Sequence, residues 1–389
     1  MQILMLIPQA FYSTRGTPLS AYHRIRHIIK LGHEIDILTY PIGDKPPDLN
    51  SKVYRSVGPH FAKHIKQGPS YLKIWFDCIF FLNLIYRLLR KRYDLIYTHE
   101  EAGFMYALLL SIFRTPFVYD MHSSLPLQIK EWEFSQMKAV FNLFQWIERY
   151  TLRRSAAVVA ISPGVADAAK KALPSARVFT MLNSFETDYS ITIPDDMRVR
   201  TELGIHQNKK MILYTGSFVA LQSLDLLIKS IPEVIKKVPE SVFVLVGGNK
   251  EEIVRLQLLS DKLEVSEYLM LLPARPQAEM PDFIAACDVL VSPRIKGINP
   301  PGKLLSYLNS GKPVVATDCY VHNQLIDSSF AILAEPSPEK YAEGIIKALV
   351  DRAYVYQIVS KAKDVVRTKY SYETNCDGYR KLFKLIETN

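Results

Sequence analysis

The chain alternates short apolar runs with longer segments in which apolar residues recur every three or four positions. The short runs are apolar throughout, which is typical of strands in a parallel sheet covered on both faces. The longer segments have the period of amphipathic helices. In the first half, strands are predicted near 2–7, 34–40, 52–57, 94–98, 116–120, 156–161 and 177–182, and helices near 17–31, 70–92, 101–113, 134–155 and 163–173.

The alternation stops between residues 183 and 200 and then resumes. This segment is polar, contains Pro194 and shows no period, so it is predicted to be a linker. The second series predicts strands near 211–215, 241–247, 268–272, 288–292, 313–317 and 330–333, and helices near 223–237, 250–263, 278–286, 302–310, 338–350, 353–369 and 372–387.

Strands that alternate with helices in this way form doubly wound α/β domains. We therefore expect two Rossmann-like domains, residues 1–185 and 186–371, which face each other across a cleft. The helix within 372–389 is expected to cross back to the first domain. A chain of 389 residues has the length for two such domains.

Composition and charge restrict the class of protein further. The net charge of +9 favours an anionic partner, either a phosphorylated substrate or a membrane surface, although solubility alone also explains it. No zinc-finger or RNA-binding pattern accompanies the charge, so a nucleic-acid partner is not expected. The four cysteines form no CxxC pair, and the apolar N-terminus is short and lacks a basic lead. These features predict a cytoplasmic protein without a membrane span.

The strongest local signal is the loop from Ser292 to Lys303, which joins a predicted strand to a predicted helix. It contains two glycines, three prolines and three cations, and Pro301 suits the first turn of a helix. Helix N-termini bind phosphates, and Arg294 and Lys303 would add full charges. We predict a diphosphate-binding loop here. The alternative is an ordinary tight turn with solvated cations.

The stretch 292–317 resembles the donor site of GT-B glycosyltransferases of family four. The resemblance extends to the segments 214–218, 222–227, 245–249 and 287–294. In the first half it is carried by Arg15-Gly16-Thr17, by 31–40 and by 119–123. These motifs occur in the order of the family and span nearly the whole chain.

The resemblance implies an activity. The protein would transfer a sugar from a UDP- or GDP-linked donor to a glycan or lipid-linked acceptor with retention of configuration, without a cofactor and without a metal ion. Helix dipoles and cations could then stabilise the departing diphosphate. It implies a donor site built from Gly16, Gly216, Ser217, Gln222, Arg275, Arg294, Gly297, Asn299, Gly302, Lys303 and Ser306.

The resemblance also implies roles in the first domain. His122 follows a predicted strand and is expected near the transferred sugar, where it would orient the sugar or assist the leaving group. The alternative is a structural histidine. On the acceptor side the resemblance places Arg15, Thr17, His99 and Glu100.

The sequence departs from the family pattern at four positions. Ile298 and Ser306 occupy the places of a glutamate pair, and Ser217 and Gln222 occupy those of an Arg and a Lys. We hypothesise that Arg294 and Lys303 replace the missing charges. The departures leave two other functions open, a non-catalytic nucleotide-sugar-binding or scaffold protein and a nucleotide-sugar epimerase.

Residues 71–89 are apolar at all but four positions. On a helix, the polar residues of this region lie on one side and leave more than half of the circumference apolar. The basic residues up to Arg92 and the similar segment 134–154 favour contact with an anionic membrane. We therefore predict peripheral attachment to the inner face of the cytoplasmic membrane and a lipid-linked acceptor. The alternative is a fully buried helix.

Overall fold

The structure is a computed structural model that describes residues 1–13, 16–46, 49–58, 71–127, 138–182 and 195–388. It divides the chain into two compact units. The first consists of Met1–Asn183 together with Glu373–Asn389, and the second of Ser184–Tyr372. A parallel β-sheet lies at the centre of each unit.

In its described residues, the first unit has a sheet of seven parallel strands in the order β3-β2-β1-β4-β5-β6-β7. The strands are β1 (Gln2–Ile7), β2 (Glu34–Thr39), β3 (Lys52–Arg55), β4 (Leu95–His99), β5 (Phe117–Met121), β6 (Ala157–Ala160) and β7 (Val178–Thr180). The helices are α1 (Gly16–Lys30), α2 (Tyr71–Arg90), α3 (Ala102–Phe113), α4 (Lys138–Arg154) and α5 (Pro163–Ala172), and the last helix of the chain, α14 (Tyr372–Glu387), begins at the boundary of this unit.

The core of the first unit explains why α14 belongs to it. Apolar side chains recur along α14 from Tyr379 to Ile386 at helical spacing, and they pack with α1 and with β1. The face of α1 that carries Ala21 and Ile25 joins the same buried cluster. Helices α1 and α14 therefore pack on the same face of the first sheet.

The second unit has, in its described residues, six parallel strands in the order β10-β9-β8-β11-β12-β13. These are β8 (Lys210–Thr215), β9 (Ser241–Gly248), β10 (Leu269–Pro273), β11 (Val289–Ser292), β12 (Val314–Thr317) and β13 (Ile332–Ala334). The helices are α6 (Asp196–Glu202), α7 (Leu224–Lys237), α8 (Lys250–Lys262), α9 (Met280–Ala286), α10 (Lys303–Asn309), α11 (Tyr320–Asn323), α12 (Pro338–Val350) and α13 (Arg352–Lys369).

The core of the second unit follows the pattern of its sequence. Helix α7 buries Leu224, Leu227, Ile228, Ile231 and Val234 at the spacing of a single helix face. The apolar strands β8 and β9 lie beneath this face, and α12 packs beside α7. Side chains of α12 and α13 complete the buried cluster.

The strand order of each sheet reverses at one place, between β1 and β4 in the first unit and between β8 and β11 in the second. Open parallel sheets bind ligands outside the carboxyl ends of their strands at such a switch point. A ligand-binding site is therefore expected at the residues that follow β1, β4, β8 and β11.

The strands and helices predicted from the pattern are present, with ends that differ by a few residues. The end of the predicted linker is wrong, because Asp196–Glu202 is helical. Only Val199 of this helix is buried, so the sequence shows no apolar period there. The exposed Asp195 caps the helix by accepting a hydrogen bond from the backbone nitrogen of Arg198. The four-residue helix α11 was not predicted either.

Candidate functional site

The polar side chains of β4 and β5 meet on one face of the first sheet. His99 is the last residue of β4 and pairs with Asp120 of β5 in the parallel register. Because side chains alternate between the two faces of a sheet, Tyr97 and His99 point to the same side, as do Asp120 and His122. Helix α1 lies on this side and contributes Arg24.

The structure brings the predicted His99 and His122 together. Nδ1 of His99 lies 3.1 Å from Nε2 of His122. The Asp120 carboxylate is beside both rings, with Oδ1 3.4 Å from Nε2 of His122 and Oδ2 3.7 Å from Nδ1 of His99. Burial lowers the pKa of both histidines well below their usual value, with the Arg24 charge contributing, so both rings are neutral.

Arg24 balances the charge of Asp120. Its guanidinium Nε forms an ion pair with Oδ2 of Asp120, and the same oxygen accepts a hydrogen bond of 2.9 Å from the Tyr97 hydroxyl. Burial raises the pKa of Asp120 to about 6, and Arg24 opposes the rise. The carboxyl group is therefore ionised at neutral pH, and the histidine pair lies beside a buried ion pair.

The predicted acceptor-side residues lie at the ends of β4 and α1. Glu100 follows β4 in a left-handed conformation, with a φ of +50°, and its carboxylate accepts a hydrogen bond of 3.4 Å from the Thr17 hydroxyl. Burial, with the nearby Asp120, raises the pKa of Glu100 to about 7. Gly16 is the first residue of α1, and Arg15 lies outside the described residues. The structure thus joins Thr17 to Glu100.

A metal ion has one possible set of ligands in the described ranges. The ligand atoms of His99, Asp120 and His122 all lie within 4.8 Å of one another, and the three side chains are buried. Neutral imidazoles and a carboxylate are ordinary ligands for zinc. However, Arg24 already occupies one oxygen of Asp120, so an ion there would lie close to a guanidinium. A mechanism without a metal ion stays a prediction.

In the second unit, Gly216 and Lys303 meet at the switch point. Gly216 follows β8 with a φ of +131°, a backbone conformation that residues other than glycine rarely adopt. A Cβ at this position would lie 3.5 Å from Nζ of Lys303. Nζ of Lys303 donates a hydrogen bond of 2.8 Å to the carbonyl oxygen of Thr215 and lies 3.3 Å from the centre of the Tyr214 ring. Burial, with Arg294, lowers the pKa of Lys303 well below its usual value.

Arg294 folds over the glycine of its own loop. Its Nε donates a hydrogen bond of 2.8 Å to the carbonyl oxygen of Lys296, and a Cβ on Gly297 would clash with the guanidinium. Gly297 has a φ of +116°. The two predicted cations of the loop, Arg294 and Lys303, are thus held close enough for one to lower the pKa of the other.

Hydrogen bonds connect the loop between β11 and α10 to residues of β12 and to residues in and just after α11. The carbonyl oxygen of Arg294 accepts a hydrogen bond from the Thr317 hydroxyl. The buried His322 bridges Thr317 and Ser292, with ring nitrogens 2.9 Å from each hydroxyl oxygen. Gln324 donates a hydrogen bond of 2.6 Å to the carbonyl oxygen of Ile298. These contacts fix the backbone between β11 and α10.

The other predicted donor residues differ in their position relative to Gly216, Arg294 and Lys303. Ser217 lies beside Gly216, and its carbonyl oxygen accepts a hydrogen bond from the Tyr214 hydroxyl. Gln222 ends a short 3-10 turn before α7. Asn299 and Gly302 lie in the loop before α10, and Ser306 lies one turn into α10. The guanidinium of Arg275, in contrast, is bound by Glu202 at 2.7 Å and by Glu279 at 3.8 Å.

Sequence reasoning missed several residues of both groups. Arg24 lies between Ala21 and Ile25 on the buried face of α1. A charged residue within this apolar stripe could have indicated a buried ion pair. Asp120 lies two residues before His122 and therefore on the same face of β5. Tyr307 accepts a hydrogen bond of 2.8 Å from the backbone nitrogen of Thr215, and only the three-dimensional fold shows this contact.

Family comparison agrees with the geometry of both units. Residues 195–365 match the family described as glycosyl transferases group 1, and residues 14–189 match the family described as Glycosyltransferase Family 4. The two matches follow each other and together take up nearly the whole chain. The chain belongs to the glycosyltransferases of family four, and its doubly wound units are those of the GT-B fold.

Individual relatives cover most of the chain at low identity. An uncharacterized glycosyltransferase of Methanocaldococcus jannaschii is 22% identical, over 89% of this chain and 88% of its own length. One subunit of the phosphatidylinositol N-acetylglucosaminyltransferase of Arabidopsis thaliana is 21% identical, over 99% of this chain and 85% of its own. Among solved structures, HepE of Anabaena in complex with UDP has a TM-score of 0.76 at 18% identity, and the likeness covers 99% of this chain and 100% of HepE.

Proposed function

We propose that the protein transfers a hexose from a UDP- or GDP-linked donor to a lipid-linked or glycan acceptor, with retention of anomeric configuration. The observation that carries the proposal is the position of Lys303, whose Nζ lies beside Gly216 at the switch point of the second sheet. The solved structure of HepE with UDP and the name of the Arabidopsis relative agree with a nucleotide donor and a lipid acceptor.

The donor diphosphate fits the group formed by Gly216, Arg294 and Lys303. The absence of a side chain on Gly216 leaves the backbone after β8 open to a close ligand. Helix α10 has only seven residues, so the charges of Lys303 and Arg294 contribute more to anion binding than its dipole does. Protonation of Lys303 would become more favourable once an anion lies beside it. In this proposal the two cations take over the contacts that the Arg and Lys of the family pattern make.

His122 suits the transferred sugar rather than the diphosphate. Its ring is neutral, so it can accept and donate one hydrogen bond each and need not carry charge. We assign it the role of orienting the donor sugar, with His99 as its hydrogen-bond partner. Thr17 and Glu100 supply a hydroxyl group and a carboxyl group for the acceptor side.

A panel of nucleotides tests the donor site directly. UDP, GDP, UDP-glucose, UDP-N-acetylglucosamine and GDP-mannose are added in turn, and the melting temperature of the protein is measured. A ligand at 100 times its Kd stabilises the folded chain by about 2.7 kcal/mol. We therefore expect either the uridine or the guanosine nucleotides to give a clearly larger increase in melting temperature than the others. No shift with any of the five would contradict the proposed donor class.

Two variants then locate the site with the nucleotide that gives the larger shift. Lys303→Met and Arg294→Met are each expected to weaken binding by about 10- to 100-fold, because a hydrogen bond to a charged group contributes about 1.5–3 kcal/mol. Lys262→Met removes an exposed lysine of α8 in the same unit and should leave binding unchanged. Unchanged affinity in both loop variants would show that the diphosphate binds elsewhere.

Product analysis separates the transferase from the two other functions. Release of nucleoside diphosphate from the bound sugar nucleotide, lost in His122→Ala, supports transfer. A changed sugar still attached to its nucleotide would indicate an epimerase, and binding without turnover would indicate a binding or scaffold protein. NMR of the glycosidic product gives the anomeric configuration and so tests retention.

The outer face of α2 is apolar, which excludes the alternative of a fully buried helix. Phe76, Phe80, Leu84 and Leu88 are buried, whereas the opposite side exposes a row of large apolar residues: Tyr71, Ile74, Trp75, Leu82, Tyr86 and Leu89. The polar Lys73 and Asp77 bind inward, to Glu101 and Tyr40 respectively. Lys73 and Asp77 thus face the protein together with the buried apolar residues, and a second apolar row faces solvent.

Two further helices of the first unit also expose large apolar residues. Helix α3 exposes Leu108 and Ile112, and α4 exposes Leu143 and Trp146. Trp146 packs edge-on against Phe104 of α3, so the two helices are adjacent. Exposed arginines lie at or just beyond the carboxyl ends of the three helices: Arg90, Arg92, Arg114 and Arg153. Among the described residues, no helix is long and apolar enough to span a bilayer.

This apolar face with a basic rim is proposed to lie on an anionic membrane, where the acceptor would be anchored. Sedimentation with vesicles of phosphatidylcholine and phosphatidylglycerol at low salt is expected to remove the protein from solution. The double variant Leu82→Glu, Leu89→Glu should stay in the supernatant, and Leu258→Glu, which changes an equally exposed leucine of α8, should still sediment. Failure of the unaltered protein to bind would contradict this attachment.

A further inference from the structure

The guanidinium of Arg24 connects three parts of the first unit. Besides Asp120 of β5, it binds the hydroxyl group of Tyr379 of α14 at 3.0 Å and the carbonyl oxygen of Met181 at 3.1 Å. Arg24 is 3% exposed and Tyr379 is 1% exposed, so water does not compete for these bonds. Since the guanidinium is planar and its donors have fixed directions, the three contacts together set its orientation.

The orientation of Arg24 determines which oxygen of Asp120 faces the histidines. Oδ2 forms the ion pair with Arg24 and accepts a hydrogen bond from the Tyr97 hydroxyl. Oδ1 makes no hydrogen bond within the described residues, and it lies 3.4 Å from Nε2 of His122. Arg24 and Tyr97 therefore hold one oxygen of the carboxylate, and the other oxygen lies beside His122.

An unpaired carboxylate oxygen selects one tautomer of His122. The 3.1 Å contact between Nε2 of His122 and Nδ1 of His99 requires a proton on one of these two nitrogens. If His99 held that proton, the lone pair of Nε2 would face Oδ1 of Asp120 at 3.4 Å and be repelled. In the other tautomer the lone pair of His99 lies 3.7 Å from Oδ2, whose charge is balanced by Arg24 and Tyr97. With the proton on Nε2 of His122, the same contact is attractive, and Nδ1 of His122 becomes the acceptor nitrogen.

We propose that Arg24 and Tyr379 are positioning residues, which hold Asp120 so that His122 keeps its proton on Nε2 and offers Nδ1 as an acceptor. The catalytic meaning of this tautomer rests on the proposed function. The last helix of the chain, through one hydroxyl group, then takes part in arranging the site of the first unit. A purely structural role for Tyr379 would anchor α14 and leave the histidine unaffected.

Nitrogen NMR of the substrate-free protein, labelled with ¹⁵N at histidine, tests the tautomer without any assumption about the substrate. A protonated and an unprotonated imidazole nitrogen have well-separated shifts, and the signals of His122 are identified by their loss in His122→Gln. In the unaltered protein, Nε2 of His122 is expected to be protonated and Nδ1 unprotonated. A proton on Nδ1 instead would overturn the proposal.

Tyr379→Phe then tests the link through Arg24. The ring stays packed against Phe383 and His27, and only the hydroxyl group is lost. The two His122 shifts are expected to move toward each other as the second tautomer becomes populated, and Arg24→Lys should have the same effect or a larger one. His122 shifts identical to those of the unaltered protein in Tyr379→Phe would overturn the proposal, whether or not Arg24→Lys folds.

Tyr341→Phe is the matched control. Tyr341 is a buried tyrosine of the second unit whose hydroxyl donates a hydrogen bond of 3.1 Å to the carbonyl oxygen of Val315. Its loss should lower stability by a similar amount and leave His122 unchanged. Once a sugar nucleotide is turned over, Tyr379→Phe is expected to lower kcat about tenfold with little change in the KM for the donor. An inactive protein that shows the expected tautomer would contradict the proposed function and leave this inference intact.

Discussion

At the carboxyl edge of the first sheet, the charged side chains are bound to one another, whereas at the same edge of the second sheet they contact backbone carbonyl oxygens and an aromatic ring. Asp120 and Arg24 form a buried ion pair beside two neutral histidines. Lys303 is held by the carbonyl oxygen of Thr215 and the ring of Tyr214. Neither of these two contacts with Lys303 supplies a full negative charge.

The difference indicates two ways of preparing a site. In the first unit the electrostatic balance is complete before any ligand arrives, and what is fixed is the geometry of His122. In the second unit the amine of the half-buried Lys303 lacks a counterion among these contacts, so an arriving anion would supply one. The first arrangement should therefore matter for stability, and the second should cost stability in return for binding.

We expect the largest loss of stability when the charge balance between Asp120 and Arg24 in the first unit is removed. Asp120→Asn leaves the Arg24 charge buried without its carboxylate, which is expected to lower the free energy of unfolding by about 3–5 kcal/mol. Because Trp75, Trp132 and Trp146 all precede residue 183, tryptophan fluorescence during urea denaturation follows this unit selectively.

An exposed ion pair of the same unit is the control for Asp120. Asp377 and Arg380 of α14 form a pair in which both side chains are more than half exposed. Asp377→Asn should therefore change stability by less than about 1 kcal/mol. Equal losses in the two variants would show that burial of the Arg24–Asp120 pair has no special importance.

The backbone after β8 should be the next most sensitive position. Gly216 has a φ of +131°, and a Cβ there would lie 3.3 Å from the Tyr214 hydroxyl oxygen. Gly216→Ala is expected to cost about 1–3 kcal/mol and to weaken nucleotide binding. Gly16 has a φ of +60° with open space around it, so Gly16→Ala should cost only about 1 kcal/mol. Calorimetry of both variants measures the difference, and a larger loss for Gly16→Ala would contradict it.

The sequence predicted much of the fold because the strands are apolar throughout and the helices have a regular apolar period. It also marked Arg294 and Lys303, which lie in the loop between a predicted strand and a predicted helix, and the resemblance to the family marked Gly216 and His122. Their roles were not readable in the same way. The Arg24–Tyr379 contact joins residues that are 355 positions apart, and no local pattern indicates such a pair.

The inward-facing polar residues of α2 show a different limit of sequence reasoning. The helical period placed Lys73 and Asp77 on one side of the helix but did not say which side faces the protein. The hydroxyl group of Tyr40 and the carboxylate of Glu101 decide it, because they bind Asp77 and Lys73 and so turn the opposite, apolar side of the helix outward. Two partners, one just after β2 and one just before α3, were needed to choose between the two interpretations.

The smallest expected effect has the opposite sign to that of Asp120→Asn. Lys303→Met removes a half-buried amine whose protonated form is disfavoured by desolvation, so the ligand-free protein should become more stable by about 1 kcal/mol while nucleotide binding weakens. The folded-state pKa of Lys303 lies below that of the unfolded chain, so the unfolded state binds more protons and the stability of the unaltered protein rises as the pH is raised. The advantage of Lys303→Met over the unaltered protein should accordingly shrink between pH 7 and about 10, as measured by urea denaturation at each pH. A constant advantage would mean that the pKa of Lys303 is the same in the folded and the unfolded chain. A loss of stability at pH 7 would mean that Lys303 stabilises the ligand-free protein.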